Sequence, residues 1–257
     1  MFGLIPKSMW SKWIEPDAEN RIWLSMNCVL LERPTLGGGI ERILVESGAG
    51  GKWTAKEEAV YLFERGVDGR VRTVEHALRE IGVDPASIKH VVLTHLHFDH
   101  AGGLTRFGVG GALELVFPNA QVHVQRQEWL DALANKSTMS RTYLPANLEP
   151  IANSVVLHDG DVEPIPGICV RSAPGHTWGH QMVIWKDHEG TICFAGDTMP
   201  TIHHSHPASS LGYDMLPYQT MLTKRAMLDD ADREHWRLVL DHEPGDCVVQ
   251  RGIRTTN

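Results

Sequence analysis

The run Thr94-His95-Leu96-His97-Phe98-Asp99-His100-Ala101-Gly102-Gly103 puts four metal-ligating side chains, His95, His97, Asp99 and His100, within six residues. It leaves an apolar stretch, Val91-Val92-Leu93, that reads as a buried strand, and it enters a glycine-containing turn. In an extended segment, residues two apart project to the same side, so His95 and His97 can converge on one cation. Asp99 and His100, on the turn beyond, can face a second cation. Imidazole and carboxylate suit zinc, and iron or manganese as well, and the C-terminal end of a strand is where α/β folds place their sites. A lone histidine is ordinarily a polar turn residue or a helix cap. Four donors at this spacing, directly after an apolar strand, point to metal chemistry.

Three further candidates recur in the same local setting of a strand followed by a glycine-bounded loop. They are His176 in Ala173-Pro174-Gly175-His176-Thr177, Asp197 in Phe194-Ala195-Gly196-Asp197-Thr198, and His242 in Leu240-Asp241-His242-Glu243. Singly, each has a plainer explanation: a turn histidine, a helix cap and a partner of Asp241. With the first cluster they supply five histidines and two aspartates, enough for two metals with open coordination positions.

These donors need a scaffold, and the chain offers alternating strand and helix patterns. Strands are expected at 23–31, 42–46, 90–94, 121–125, 168–172, 182–185 and 191–195, all short and rich in Val, Ile and Leu. Helical spacing appears over 73–81, around 127–134 and over 219–228. Such alternation predicts an α/β fold with sheets covered by helices. No composition shift or long linker divides the chain, so one domain over residues 1–257 is expected. Gly37-Gly38-Gly39 reads as a hairpin turn, because no G-x-x-x-x-G-K pattern follows it.

Composition narrows the partners. The 257 residues carry a formal net charge of −8, are 42% hydrophobic and 22% charged, and contain no Lys/Arg block. There is enough apolar material for a core and no electrostatic footprint for a phosphate backbone or an anionic membrane surface. A small-molecule substrate is expected, and neither nucleic acid nor membrane. No window reaches the roughly 18 apolar residues of a membrane span. Pro6 and Lys7 interrupt the apolar start, so neither a signal peptide nor an anchor is expected. Cys28, Cys169, Cys193 and Cys247 form no C-x-x-C pair, and Cys169 and Cys193 fall in strand-like runs where a free thiol packs as a small hydrophobe. A reduced, cytoplasmic chain follows as the expectation.

On its H-x-H-x-D-H run and the later His176, Asp197 and His242, the sequence resembles the metallo-β-lactamase superfamily, from the strand near Ile43 to His242. The resemblance implies a four-layer αββα sandwich with a metal site at one edge. It implies that His95, His97 and His176 bind one metal, that Asp99, His100 and His242 bind the other, and that Asp197 bridges them. His180 matches the family's histidine outside the ligand set. Glu46, in Val45-Glu46-Ser47-Gly48, departs from relatives that commonly carry Asp there. Two divalent ions, zinc first, with manganese, iron or cobalt fitting the same donors, would share a hydroxide nucleophile. Asp99 would orient it and pass a proton to the leaving group.

The fold hosts many chemistries, so the substrate must come from elsewhere. β-Lactamases of this superfamily generally lack an aspartate matching Asp197, which argues against antibiotic hydrolysis. Glyoxalase II enzymes usually add a helical C-terminal domain with basic residues, whereas few residues follow His242 here. A lactonase-like hydrolase of carboxylic esters is the leading expectation. A thioester or phosphoester hydrolase of the same fold, or an iron-dependent oxygenase of the persulfide dioxygenase kind, is the alternative. Lactonases often place a Tyr shortly after the bridging Asp. This chain has His203, His204 and His206 in that region, a polar loop by composition, and His204 and Tyr213 are the candidates to contact substrate. Trp10, Trp13, Trp23 and Trp53 read as a lid, a homodimer contact or core.

Overall fold

Thr35 closes the first hairpin: its carbonyl accepts from Gly38 N at 3.0 Å, and its amide donates to Gly39 O at 2.9 Å. This turn joins strand β1 (Val29–Pro34) to β2 (Ile40–Val45) in antiparallel register, with Pro34 opposite Ile40. The glycine run is thus the expected hairpin turn. The computed structural model describes residues 1–252. Internal contacts divide it into two units, one of Cys28–Val124 and Trp129–Leu157, the other of Met1–Asn27, Gln125–Glu128 and His158 onward.

The first unit is built on a five-stranded sheet in the order β1-β2-β3-β6-β7, where β3 is Ile88–Val92, β6 is Gln121–Gln125 and β7 is Val155–His158. A small hairpin of β4 (Thr105–Phe107) and β5 (Leu113–Leu115) lies between β3 and β6 in sequence. β2, β3 and β6 run parallel, with Val45 opposite Val92 and Val92 opposite His123, so the loops that follow them leave from one edge of the sheet. Two helices, Ala55–Tyr61 and Val74–Glu80, fill the β2–β3 crossover, and each opens with a reciprocal cap, Thr54 with Glu57 and Thr73 with His76. Leu78, Val91, Leu93, Val122, Val124, Leu148 and Ile151 are buried together as the core of this unit.

The second unit carries a six-stranded sheet, ordered β13-β12-β11-β10-β9-β8. Its strands are β8 (Val162–Ile165), β9 (Ile168–Ser172), β10 (Gln181–Asp187), β11 (Gly190–Phe194), β12 (Arg237–Val239) and β13 (Val248–Gln250). β11 and β12 are parallel, joined by the helix Pro217–Glu234, whose Met227, Leu228 and Ala231 pack with Met182, Cys193, Leu238 and Leu240. Both units therefore follow the α/β pattern expected from the sequence.

Boundaries differ where side-chain pattern misleads. The expected strand over 23–31 begins only at Val29, because Asn27 spends its backbone and side chain on Asp241, Leu240 and Glu243 and not on a ladder. Cys193 is a buried free thiol as expected, whereas Cys169 is exposed: it alternates with Ile168 and Val170, which take the inward face of β9. All four cysteines are free. Among the described residues no helix is long and apolar enough to cross a membrane.

Candidate metal centre

In the first unit, the end of β3 delivers Thr94, His95 and His97 to the parallel-strand edge, and the short helix Phe98–Ala101 then carries Asp99 and His100. Glu46, the residue after β2, ties the two together. Its Oε1 accepts from Thr94 N at 2.7 Å and its Oε2 lies 3.1 Å from His100 Nδ1. It does so from a left-handed backbone, φ 68°, and is buried. A longer acid than Asp at this position thus still reaches the histidine. Thr94 Oγ1 sits 3.0 Å from His95 Nδ1, and the His97 ring meets Tyr143 at 5.1 Å between centroids. Nδ1 of His95 and of His100 is engaged in this way, and the Nε2 atoms of His95, His97 and His100 are buried. The ring centroids of His97 and His100 lie 4.4 and 3.9 Å from that of His95. Asp99 is partly exposed, its Oδ1 3.9 Å from His100 Nε2.

In the second unit, strand direction explains the convergence. Phe194 of β11 pairs with Val239 of β12, so Asp197 and His242 lie the same distance beyond the paired residues, at one edge. β9 runs in the same sense as β11, since each is antiparallel to β10, and its C-terminal end leads to His176. Asp197 faces two imidazoles at once. Its Oδ2 is 2.9 Å from His176 Nε2 and its Oδ1 is 3.2 Å from His242 Nε2. The far nitrogens are held from behind: His176 Nδ1 lies 2.9 Å from Asp214 Oδ1, and His242 Nδ1 donates to Ser25 O at 2.8 Å. Asp241, also buried, brings Oδ2 to 3.7 Å from His242 Nε2.

Charge in this group is concentrated and dry. Burial opposes ionisation of both partners, yet the His176 imidazolium is pushed up to about 10 by the Asp197 and Asp214 carboxylates. His176 and His242 in turn hold Asp197 well below the usual carboxylate range against its burial. Imidazoles engaged through Nδ1, with Nε2 turned to a shared carboxylate, could hold a metal ion, the far contacts acting to orient the rings.

Of the remaining candidates, His180 is fully buried, its ring 6.2 Å from that of His176. The loop before it is pinned: a Cβ on Gly179 would come within 2.1 Å of the Glu128 amide, and Thr177 Oγ1 donates to Glu128 Oε2 at 2.6 Å. Tyr213 is half-buried, 6.3 Å from the His176 ring between centroids. His204 does not belong to a solvated loop. It is buried, stacked on Phe2 at 5.0 Å and bonded through Nδ1 to Thr201 Oγ1 at 2.8 Å. Burial, aided by the Lys224 charge, lowers it to about 3, so the ring is neutral. His206 is exposed. Trp10 and Trp13 belong to the aromatic group around Phe2, Trp53 packs with Tyr61, Phe63 and Phe98 in the other unit, and Trp23 is exposed. Sequence reasoning missed Asp214 and Asp241. Asp241 adjoins His242, a candidate ligand of the sequence reading, whereas Asp214 stands in a loop with no motif around it.

Comparison with known proteins bears on the same residues. The family model for the metallo-beta-lactamase superfamily matches residues 21–242. An N-acyl homoserine lactonase from Bacillus thuringiensis is 32% identical over 129 residues, 50% of this chain and 45% of that protein. The chain thus spans about half the length of the curated relatives it matches. A probable metal-dependent hydrolase from Staphylococcus aureus has a TM-score of 0.80 at 27% identity, covering 100% of this chain and 92% of the other. The dizinc quorum-quenching lactonase AidC has a TM-score of 0.69 at 17% identity, over 91% of this chain and 78% of its own, a likeness of fold alone. The match of the family model, over residues 21–242, leads to one conclusion: the chain belongs to the metallo-beta-lactamase superfamily.

Proposed function

We propose that the protein is a dinuclear-metal hydrolase of carboxylic esters, with lactones as its substrate class. The observation that carries the dinuclear reading is Asp197, whose two oxygens each face the Nε2 of a different histidine, as a bridging carboxylate requires. His95, His97 and His176 would hold one cation, Asp99, His100 and His242 the other, with Asp241 a further carboxylate beside His242. The residues fit such ions on their own chemistry, because the five imidazoles are buried and those of His95, His100, His176 and His242 are engaged through Nδ1. Zinc suits the donor set, and manganese, iron or cobalt would also be accepted.

Bound divalent cations would supply Lewis acidity, which lowers the pKa of water and polarises an ester carbonyl. The chain's own residues do the rest. Asp99, partly exposed beside His100, orients the attacking water, holds its proton and delivers it to the leaving alkoxide oxygen. Tyr213 is favoured over His204 as the donor to the substrate carbonyl oxygen, since it is half-buried beside His176 while His204 lies under Phe2. His180, buried next to His176, serves to pack and orient that ligand. The lactone class is supported by the likeness to an N-acyl homoserine lactonase. An aromatic group of Trp53, Tyr61, Phe63 and Phe98, the last adjoining Asp99 in sequence, suits an apolar acyl chain.

The test is proton release by the zinc-loaded protein on acyl-homoserine lactones, aryl esters, a thioester and a phosphodiester. Opening of lactones well above an Asp99→Ala control is expected. Turnover of only the thioester or phosphodiester would overturn the substrate class. One bound iron with oxygen consumption on a persulfide would overturn the reaction type.

A further inference from the structure

The loop Glu46–Lys52 meets the turn His100–Thr105 main chain to main chain. Ser47 donates to His100 O through its amide at 3.1 Å and its hydroxyl at 2.6 Å, and Gly103 N donates to Gly48 O at 2.9 Å. The approach is close enough that a Cβ on Gly102 would fall 2.1 Å from Ala49 O, and one on Gly103 2.0 Å from Ser47 O. Lys52 completes the contact. Its Nζ donates to Gly102 O at 2.5 Å and to Thr105 O at 2.7 Å. Gly102 opens the 3-10 turn Gly102–Leu104 that follows the short helix Phe98–Ala101, and Thr105 is the residue after that turn.

Lys52 is an unusual choice for that task. It is half-buried, burial pushes its ammonium down to about 8, and among the described residues no carboxylate pairs with it. A partly desolvated cation without a counter-charge is costly, so its bonds to two carbonyls must matter locally. The turn it grips directly continues the helix that carries Asp99 and His100, whereas His95 and His97 lie between β3 and that helix.

We propose that Lys52 is a positioning residue, clamping the turn that continues the helix carrying Asp99 and His100 so that these two groups hold ligand geometry while His95 and His97 do not depend on it. The consequence for metal binding rests on the ligand reading given above; the clamp itself does not. Two readouts on the full chain separate them. In chelator-treated protein, Lys52→Met should speed hydrogen exchange across 98–105 by about tenfold or more, leave the β1–β2 strands near wild type, and be largely rescued in Lys52→Arg. Unchanged exchange in 98–105, or an equal rise everywhere, would overturn the clamp. In zinc titrations against a chromophoric chelator, the second equivalent should weaken about tenfold or more in Lys52→Met, with the first nearly unchanged. Both equivalents unchanged, or both weakened alike, would overturn the proposed selectivity. Should Lys52→Met not fold, Lys52→Gln is read by the same criteria. If wild type takes up fewer than two equivalents, the ligand reading fails, and exchange alone decides the clamp.

Discussion

Asp214 Oδ1 lies 2.9 Å from His176 Nδ1, at the opposite end of the ring from Asp197 Oδ2. The ring is therefore fixed in orientation from behind by one carboxylate while it presents Nε2 to the other. Asp214 is itself anchored, its Oδ2 accepting from Leu211 N at 3.1 Å. Removing such a partner commonly costs about 10–100-fold in metal affinity. Asp214→Ala should weaken zinc binding within that range while thermal unfolding of the chelated protein stays cooperative. Unaltered zinc affinity would show that the Asp214 contact does not orient a ligand.

Metal loading should release protons. His176 is held at about 10 in the folded chain by Asp197 and Asp214, so near neutral pH its Nε2 carries a proton that a cation must displace. About one proton per chain or more is expected, together with affinity that rises with pH. Calorimetry in two buffers of different ionisation enthalpy measures the release; none at all would contradict the assignment of His176.

Glu46 combines two hydrogen bonds with a left-handed backbone, φ 68°. Glu46→Ala strips the buried Thr94 amide of its acceptor and should cost about 1–3 kcal/mol in urea unfolding. Glu46→Gly loses the same bonds but relieves the backbone, so it should be less destabilising than Ala by about 1 kcal/mol. Equal losses would mean that the backbone angle carries no strain.

Lys224 lies buried under the loop after His204, donating to the Ser209 carbonyl, and burial pushes it down to about 8. An unfolded lysine titrates near 10.4, so between these values the unfolded chain binds more protons and stability rises with pH. Below about pH 8 both states are charged and the gain is absent. Wild type should therefore gain on Lys224→Met as pH is raised from about 7.5 to about 10, read from urea midpoints. Parallel curves for the two proteins would contradict the shift.

The candidate site residues were legible because each follows a strand end, where an apolar run stops. The parallel pairing of Phe194 with Val239 brings two of them, Asp197 and His242, to a common edge. Asp214 was not legible, since what defines its role is the return of the loop before the last helix onto Gly175 and His176, a pairing of Met215 N with His176 O that no local pattern encodes. The helix Ala55–Tyr61 buries no residue and so lacks an apolar stripe, although its Thr54/Glu57 capping box was present in the sequence. The burial of His204, against the polar-loop reading, was not legible for a related reason, because it depends on Phe2, about 200 positions away.

The most direct measurement is metal content and lactone hydrolysis for wild type and Asp197→Ala, prepared alike with zinc. Two zinc ions and turnover in wild type, with metal and activity lost together in the variant, is the predicted result. An Asp197→Ala protein that keeps two ions and full activity would contradict a bridging role for this carboxylate.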